Sequence, residues 1–376
     1  MSYEKLFKSE ISDESVKAWK AQGKKAVGVI CCHVPLEIFY ALDVMPVRIR
    51  ATGVAESPDG DAWMSTFTCS YARGMLQHII DGTYDALDGV VASDGCMMAS
   101  RAYDNAEHIN KKGKKGKLYF QFGAPRKSGD LEHDFFVGEL KDLIEKLEQL
   151  SGNKMTDEKL KAAIDKYNEA RSLIQQVYAL RKEDKPVISG EDCLKLTMAI
   201  ADNNIDEYIA MVKEFLADVK NRKPVEGKQV RVMVIGSALD DPEYIKIIED
   251  QGALVVADAL CYGSRSFNYL CEIKGNDILG SLADYYLDRI VCPRMIDNRD
   301  RLHDWIMEQL KAYKCDGVIY EKMQYCELWG GEGIMMEDML KKAGIPILTV
   351  EREEHIANAG QLAIRAEAFV EMIESK

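Results

Sequence analysis

The chain has no C-x-x-C pair, no H-E-x-x-H pair among its six histidines, no G-x-x-x-x-G-K-[ST] loop, no G-x-G-x-x-G turn and no G-x-S-x-G elbow. Each absence removes a class. Without such cysteine or histidine spacing there is no signature of a zinc ribbon or a hydrolytic zinc site. Without a glycine-rich phosphate loop the chain is by itself neither an ATPase nor a dinucleotide binder, and without the elbow it is no α/β-hydrolase. No apolar run approaches the roughly 18 residues of a membrane span, and the opening MSYEKLFKSE lacks the apolar core of a secretory leader. Lys and Arg (49) are outnumbered by Asp and Glu (62), giving a net charge of −13. That balance argues against a phosphate backbone or a membrane surface as partner. The expectation is a cytoplasmic protein with no nucleic-acid and no membrane partner.

What is present is length, alternation and thiols. At 376 residues the chain exceeds what one hydrophobic core usually serves, so two α/β domains are expected. AVGVIC (26–31), PVRIR (46–50), LDGVVAS (87–93) and KLYFQFG (117–123) read as strands with helical periodicity between them. That alternation predicts a parallel sheet covered by helices. Residues 136–221 are charged, rich in Glu, Lys, Leu and Ala, and predict consecutive helices; NRKPVEGK (221–228) reads as a linker. The alternation then resumes with QVRVMVIG (229–236), ALVVADAL (253–260), DGVIYE (316–321) and IPILTV (345–350), and an amphipathic helix from about Ala357 closes the chain. The expected partition is 1–135, 136–227 and 228–376.

Ten cysteines in a reducing compartment are not disulfides. Most free cysteines are buried small hydrophobes, so the informative ones stand where chemistry would place them. YDALDGVVASDGC (84–96) and YKCDGVIYEKMQYC (313–326) each deliver a cysteine, Cys96 and Cys326, just beyond an Asp-Gly-Val-led strand. In open parallel sheets that end faces the ligand crevice. Cys69 precedes a helical run, and a helix start stabilises a thiolate. Three such thiolates suit an iron–sulfur cluster, leaving one iron open to a small ligand or a substrate oxygen. His33 and Glu37, at the first strand-to-helix turn, are candidates for proton transfer; Glu37 equally suits a helix N-terminus. GGEG (330–333) reads as a turn before a helix, and KKGKKGK (111–117) as a solvated loop.

Beyond these residues, the chain resembles the 2-hydroxyacyl-CoA dehydratase and benzoyl-CoA reductase D-component family, in particular its shorter, β-type subunit. The resemblance rests on KKAVGVICCHVPLEIFYALDVMPVRI (24–49), CSYARGMLQHIIDGTYDALDGVVASDGC (69–96) and GALVVADALCYGSRSF (252–267). It continues in DGVIYEKMQYC (316–326), GIPILTVERE (344–353) and GQLAIRAEAFVEM (360–372), and so covers nearly the whole chain. It implies two Rossmann-like domains with a [4Fe–4S] cluster between them, its cysteines falling on Cys69, Cys96 and Cys326. It implies a related larger subunit as heterodimer partner, a separate iron–sulfur ATPase that injects one electron, and an acyl-CoA substrate that loses its hydroxyl group through a ketyl radical. Cys31, Cys32, Cys261 and Cys292 are surplus to a three-cysteine site. A relative with a double-cubane cluster uses additional cysteines, so a reductase of that kind stays open. Cys292-Pro293 and the C-terminal GQLAIRAEAF lean toward the benzoyl-CoA reductase-like members. An accessory or scaffold protein with metal-free thiols is the reading of a different class.

Overall fold

A computed structural model of the chain describes residues 1–114, 116–227, 230–289, 292–354 and 359–375. A short helix α1 (Glu14–Lys20) leads into β1 (Lys25–Ile30), followed by α2 (Leu36–Ala41), β2 (Val44–Arg48), α3 (Pro58–Trp63), α4 (Ser70–Ile80), β3 (Gly89–Ser93), α5 (Met97–Lys112) and β4 (Leu118–Phe122). Four helices follow without a strand: α6 (Asp130–Ser151), α7 (Asp157–Leu180), α8 (Gly190–Met198) and α9 (Ile205–Asp218). The second series runs β5 (Val230–Gly236), α10 (Pro242–Glu249), β6 (Ala253–Ala259), α11 (Ile278–Asp288), α12 (Arg299–Ala312), β7 (Gly317–Met323), α13 (Glu327–Lys342), β8 (Ile347–Arg352) and α14 (Ala359–Glu374). All eight expected strands are present. Ala357, the expected start of the last helix, lies outside the described residues, as do Lys115 of the basic loop and Lys228 of the linker.

The strands form two four-stranded parallel sheets of identical topology, β2-β1-β3-β4 and β6-β5-β7-β8. Parallel sheets need both faces covered, and the sequence supplies apolar side chains on both. On β1, Ala26 and Ile30 enter one core while Val27 and Val29 enter the core across the sheet. On β5, Val232 and Val234 face one way and Met233 and Ile235 the other. This two-residue period is what a strand imposes.

The packing departs from a simple partition by sequence. The expected boundary at 135 falls inside α6, whose Phe136, Leu140, Leu143 and Leu147 pack on the first sheet at helical spacing. Helix α11 follows β6, yet its Leu282, Ala283, Tyr286 and Leu287 complete that same first core. Conversely, Tyr3 and Leu6 at the chain start pack with Phe215 of α9 in the core of the second sheet. GGEG (330–333) is not a turn before a helix but part of α13: the Gly330 N–H donates to the Cys326 carbonyl at 2.8 Å, extending the first helical turn. Gly333 lies where a Cβ would be 2.9 Å from the Tyr320 ring.

Candidate metal centre

In each sheet the chain leaves the first strand to one side and returns on the other, so the loops after β1 and β3, and after β5 and β7, splay apart. Such switch points form crevices at the carboxyl ends of the strands. Cys96 caps the start of α5 directly after β3, Cys326 caps α13 directly after β7, and Cys69 caps α4. Three cysteines thus sit at three helix N-termini, where unpaired N–H groups and the helix dipole favour negative charge. The Cys96 sulfur accepts from the Ala99 N–H at 3.4 Å. All three border one apolar cluster together with Met323, the last residue of β7.

Burial sets their protonation. It pushes the Cys69 thiol far up, with the neighbouring Cys96 and Cys326 adding to the effect and the Ala72 N–H opposing it. Burial pushes Cys96 up to about 12 against the Ala99 N–H. It raises Cys326 too, against the Trp329 N–H and the Ser237 side chain. The metal-free protein therefore holds three neutral thiols at neutral pH. Bound cations would remove the cost that keeps the protons on, since a coordinating thiol is deprotonated outright. The donor set fits an iron–sulfur cluster: three sulfurs, apolar surroundings and N–H groups directed at the ligand atoms.

Hydrogen bonds across the seam hold the halves in register here. The Tyr71 N–H meets the Met323 sulfur at 3.3 Å, and the Glu354 N–H donates to Ser70 Oγ at 2.7 Å. These contacts seat the start of α4 on the ends of β7 and β8. Nearby, Asp240 Oδ2 accepts from the N–H groups of Ala51 and Thr52 at 2.7 and 3.1 Å.

A second group lies at the end of β1. The sulfurs of Cys31 and Cys32 and a ring nitrogen of His33 are all within 4.8 Å of one another, a spacing able to hold a metal ion. Among the described residues, Cys69, Cys96 and Cys326 do not form a group of that closeness. Consecutive side chains converge because Cys31 adopts φ +80°, the left-handed region that costs a non-glycine residue energy and clusters at functional sites. The Cys32 S–H and His33 hold the Cys31 thiol well below its ordinary range, whereas its bond to Cys31 and burial hold Cys32 above. His33 is fully buried, and burial and the Arg294 charge lower its pKa. Its Nε2 faces Arg294 Nη1 at 3.5 Å and its Nδ1 faces the Cys31 sulfur at 3.5 Å. Arginine can only donate, so Nε2 accepts and the Nδ1–H points to sulfur.

Cys261 follows β6, and both it and Cys292 neighbour Arg265. The two groups of thiols adjoin: a Cβ on Gly95, beside Cys96, would fall 2.4 Å from the Cys31 sulfur. Arg294 fixes that turn by donating to the carbonyls of Gly95 (3.1 Å), Ala124 (2.6 Å) and Pro125 (2.7 Å). Glu37 stands apart from the sulfurs in its bonding. Its buried carboxylate pairs with Arg171 and accepts from the Tyr286 hydroxyl at 2.8 Å, which is a fixed structural arrangement. The sequence signals missed were the contiguity of Cys31, Cys32 and His33, and Arg294, whose partners are carbonyls distant in sequence.

The family model described as 2-hydroxyglutaryl-CoA dehydratase, D-component, matches residues 31–373. The chain is 25% identical over 373 residues to the (R)-phenyllactyl-CoA dehydratase beta subunit of Clostridium sporogenes, covering 95% of this chain and 94% of that one. It is also 25% identical to a benzoyl-CoA reductase subunit of Thauera aromatica, covering 96% and 94%. With the beta subunit of (R)-2-hydroxyglutaryl-CoA dehydratase of Acidaminococcus fermentans it shares 23% identity, covering 94% of each. These relatives are subunits of dehydratases or reductases. Among the described residues no helix is long and apolar enough to cross a membrane. The chain belongs to the 2-hydroxyglutaryl-CoA dehydratase D-component family.

Proposed function

We propose that the chain is the iron–sulfur subunit of a cytoplasmic 2-hydroxyacyl-CoA dehydratase, with Cys69, Cys96 and Cys326 holding one [4Fe–4S] cluster. The observation that carries this reading is the placement of three cysteines at three helix N-termini around one apolar cluster. When bound, such a cluster supplies or accepts a single electron at a potential tuned by its surroundings. The chain's own residues position the ligands: Arg294 fixes the turn before Cys96, and Ser70 and Met323 join the two halves beside Cys69. The reaction is elimination of water from a 2-hydroxyacyl-CoA through a ketyl radical of the thioester. Of the two candidates for proton transfer, the Glu37 carboxylate is committed to Arg171 and Tyr286, whereas the His33 ring nitrogens make only long contacts of 3.5 Å, to Arg294 and to the Cys31 sulfur. The enzyme is completed by a related larger subunit. A separate iron–sulfur ATPase activates it, because this chain has no phosphate-binding loop.

Iron and sulfide analysis of the anaerobically purified protein tests this. About four iron per chain, lost on replacing Cys69, Cys96 or Cys326 by Ser but not on Cys193→Ser, is the expected result. A colourless protein without iron would instead favour an accessory role. A second reading has its own observation: Cys31, Cys32 and His33 form a metal-competent group, with Cys261 and Cys292 in the same region. It is a reductase with a larger, double-cubane cluster, and it requires about twice the iron. A benzoyl-CoA reductase-type activity is distinguished by ATP consumed in proportion to product.

A further inference from the structure

Between the ends of β1, β2 and β6 lies a cavity of about 70 Å³. Its walls include Cys31, Cys32, Cys261, Tyr262, Phe267 and Arg48. Among the described residues no carboxylate lines it. Arg171 and Arg289 also reach it, but both are committed, the first to Glu37 and the second to the carbonyls of Cys32 and Ser266 at 2.7 Å each.

Arg48 is different. Arg50, Arg171, Arg181 and Arg352 each meet a carboxylate. The Arg48 guanidinium lies over the Tyr262 ring, 4.8 Å from its centroid, and its Nε, like those of Arg50, Arg181 and Arg289, has no hydrogen-bond partner. Guanidinium cannot shed its proton, and the half-buried Arg48 meets no carboxylate among the described residues. A planar fork of donors on the wall of a pocket matches a planar pair of acceptor oxygens. The volume admits roughly three to five heavy atoms, judged against the space one water needs.

We propose that this cavity binds a small oxyanion, a short carboxylate held by the Arg48 fork beside Cys31, Cys32 and Cys261. The site is independent of the cluster assigned to Cys69, Cys96 and Cys326. A ligand there lies against the thiols at the end of β1.

Haloacetate labelling of the anaerobically purified full chain tests it, because iodoacetate carries the carboxylate and iodoacetamide does not. Iodoacetate should label the cavity thiols faster than iodoacetamide, and acetate should protect them. Arg48→Met should lower the iodoacetate-to-iodoacetamide rate ratio by about ten-fold, the low end of charge focusing in a cleft. Arg48→Lys keeps the charge and loses the fork, so acetate protection should weaken even if the Met variant does not fold. Iodoacetamide reacting faster with wild type, or acetate protecting both variants equally, overturns the proposal. So does closure of these thiols to both reagents until metal is stripped, which would make a cluster the partner of Arg48. Loss of iron in the Cys69→Ser variant with labelling unchanged separates this site from the cluster reading.

Discussion

Gly95→Ala should drive the two groups of thiols apart. A Cβ at position 95 would stand 2.4 Å from the Cys31 sulfur and 3.0 Å from its Cβ. Cys31 cannot easily yield: its backbone is in the left-handed region, and its sulfur faces His33. The turn holding Gly95 is tied by Arg294 to two carbonyls after β4. Overpacking of this kind costs about 1–3 kcal/mol. Unfolding entropy of about 2 cal/mol/K per residue over the 376-residue chain converts this into a Tm lowered by about 1–4 °C, if the chain melts as one unit. Calorimetry on Gly95→Ala, Cys31→Ala and the double variant measures the contact directly. Removing the Cys31 sulfur should restore most of the loss, giving a coupling of about 1–3 kcal/mol. Strictly additive effects would refute the steric argument. Iron content adds a second readout: it should fall in Gly95→Ala and recover in the double variant if Cys31 is no ligand, and stay low if it is one.

Three further outcomes follow from other contacts. Glu321 is fully buried beside Arg352, which bonds it at 2.8 Å; burial raises its pKa to about 7 from an ordinary 4.5, with Arg352 opposing. Its protonation thus favours the fold, so its contribution is complete below pH 4.5 and lost as pH rises through 7. Denaturation across that window should flatten by about 3 kcal/mol in Glu321→Gln; an unchanged slope would show the carboxyl already ionised below it. Asp240→Ala strips two buried N–H groups, those of Ala51 and Thr52, of their acceptor and should cost about 2–4 kcal/mol in urea unfolding. Asp240→Asn, which keeps one oxygen, should cost markedly less. Turnover should require an added iron–sulfur ATPase, ATP and a low-potential donor. Continued turnover after ATP is exhausted supports the redox-neutral dehydratase, and steady turnover with dithionite alone would defeat the mechanism.

The strands were legible in the sequence because each carries β-branched or aromatic residues on both faces, bounded by Gly, Asp or Pro. Cys96 and Cys326 were legible for a related reason: a strand end followed by a helical run fixes where the cap falls, whatever the tertiary fold. The convergence of Cys31, Cys32 and His33 was not, since it depends on one φ angle at a residue with no glycine to announce it. Arg48 and Arg50 look alike on β2 and just beyond it. Only packing decides that Asp202 reaches the second and that, among the described residues, no carboxylate reaches the first. The cover of the first sheet by α11 was equally hidden, because an amphipathic helix records that it must be buried and not against what.

That exchange of covering elements has a consequence for how the chain is made. The ribosome releases the first sheet and α6 well before α11, which comes only after β6. Until then the face carrying Val27, Val29, Phe39 and Phe122 lacks Leu282, Tyr286 and Leu287. Domains ordinarily fold as units during synthesis, the earlier one first. Here the earlier sheet waits for a helix from the later half, while the second core takes Tyr3 and Leu6 from the very first residues made. A nascent chain halted before α11 therefore exposes an open apolar face and is a natural client for chaperones.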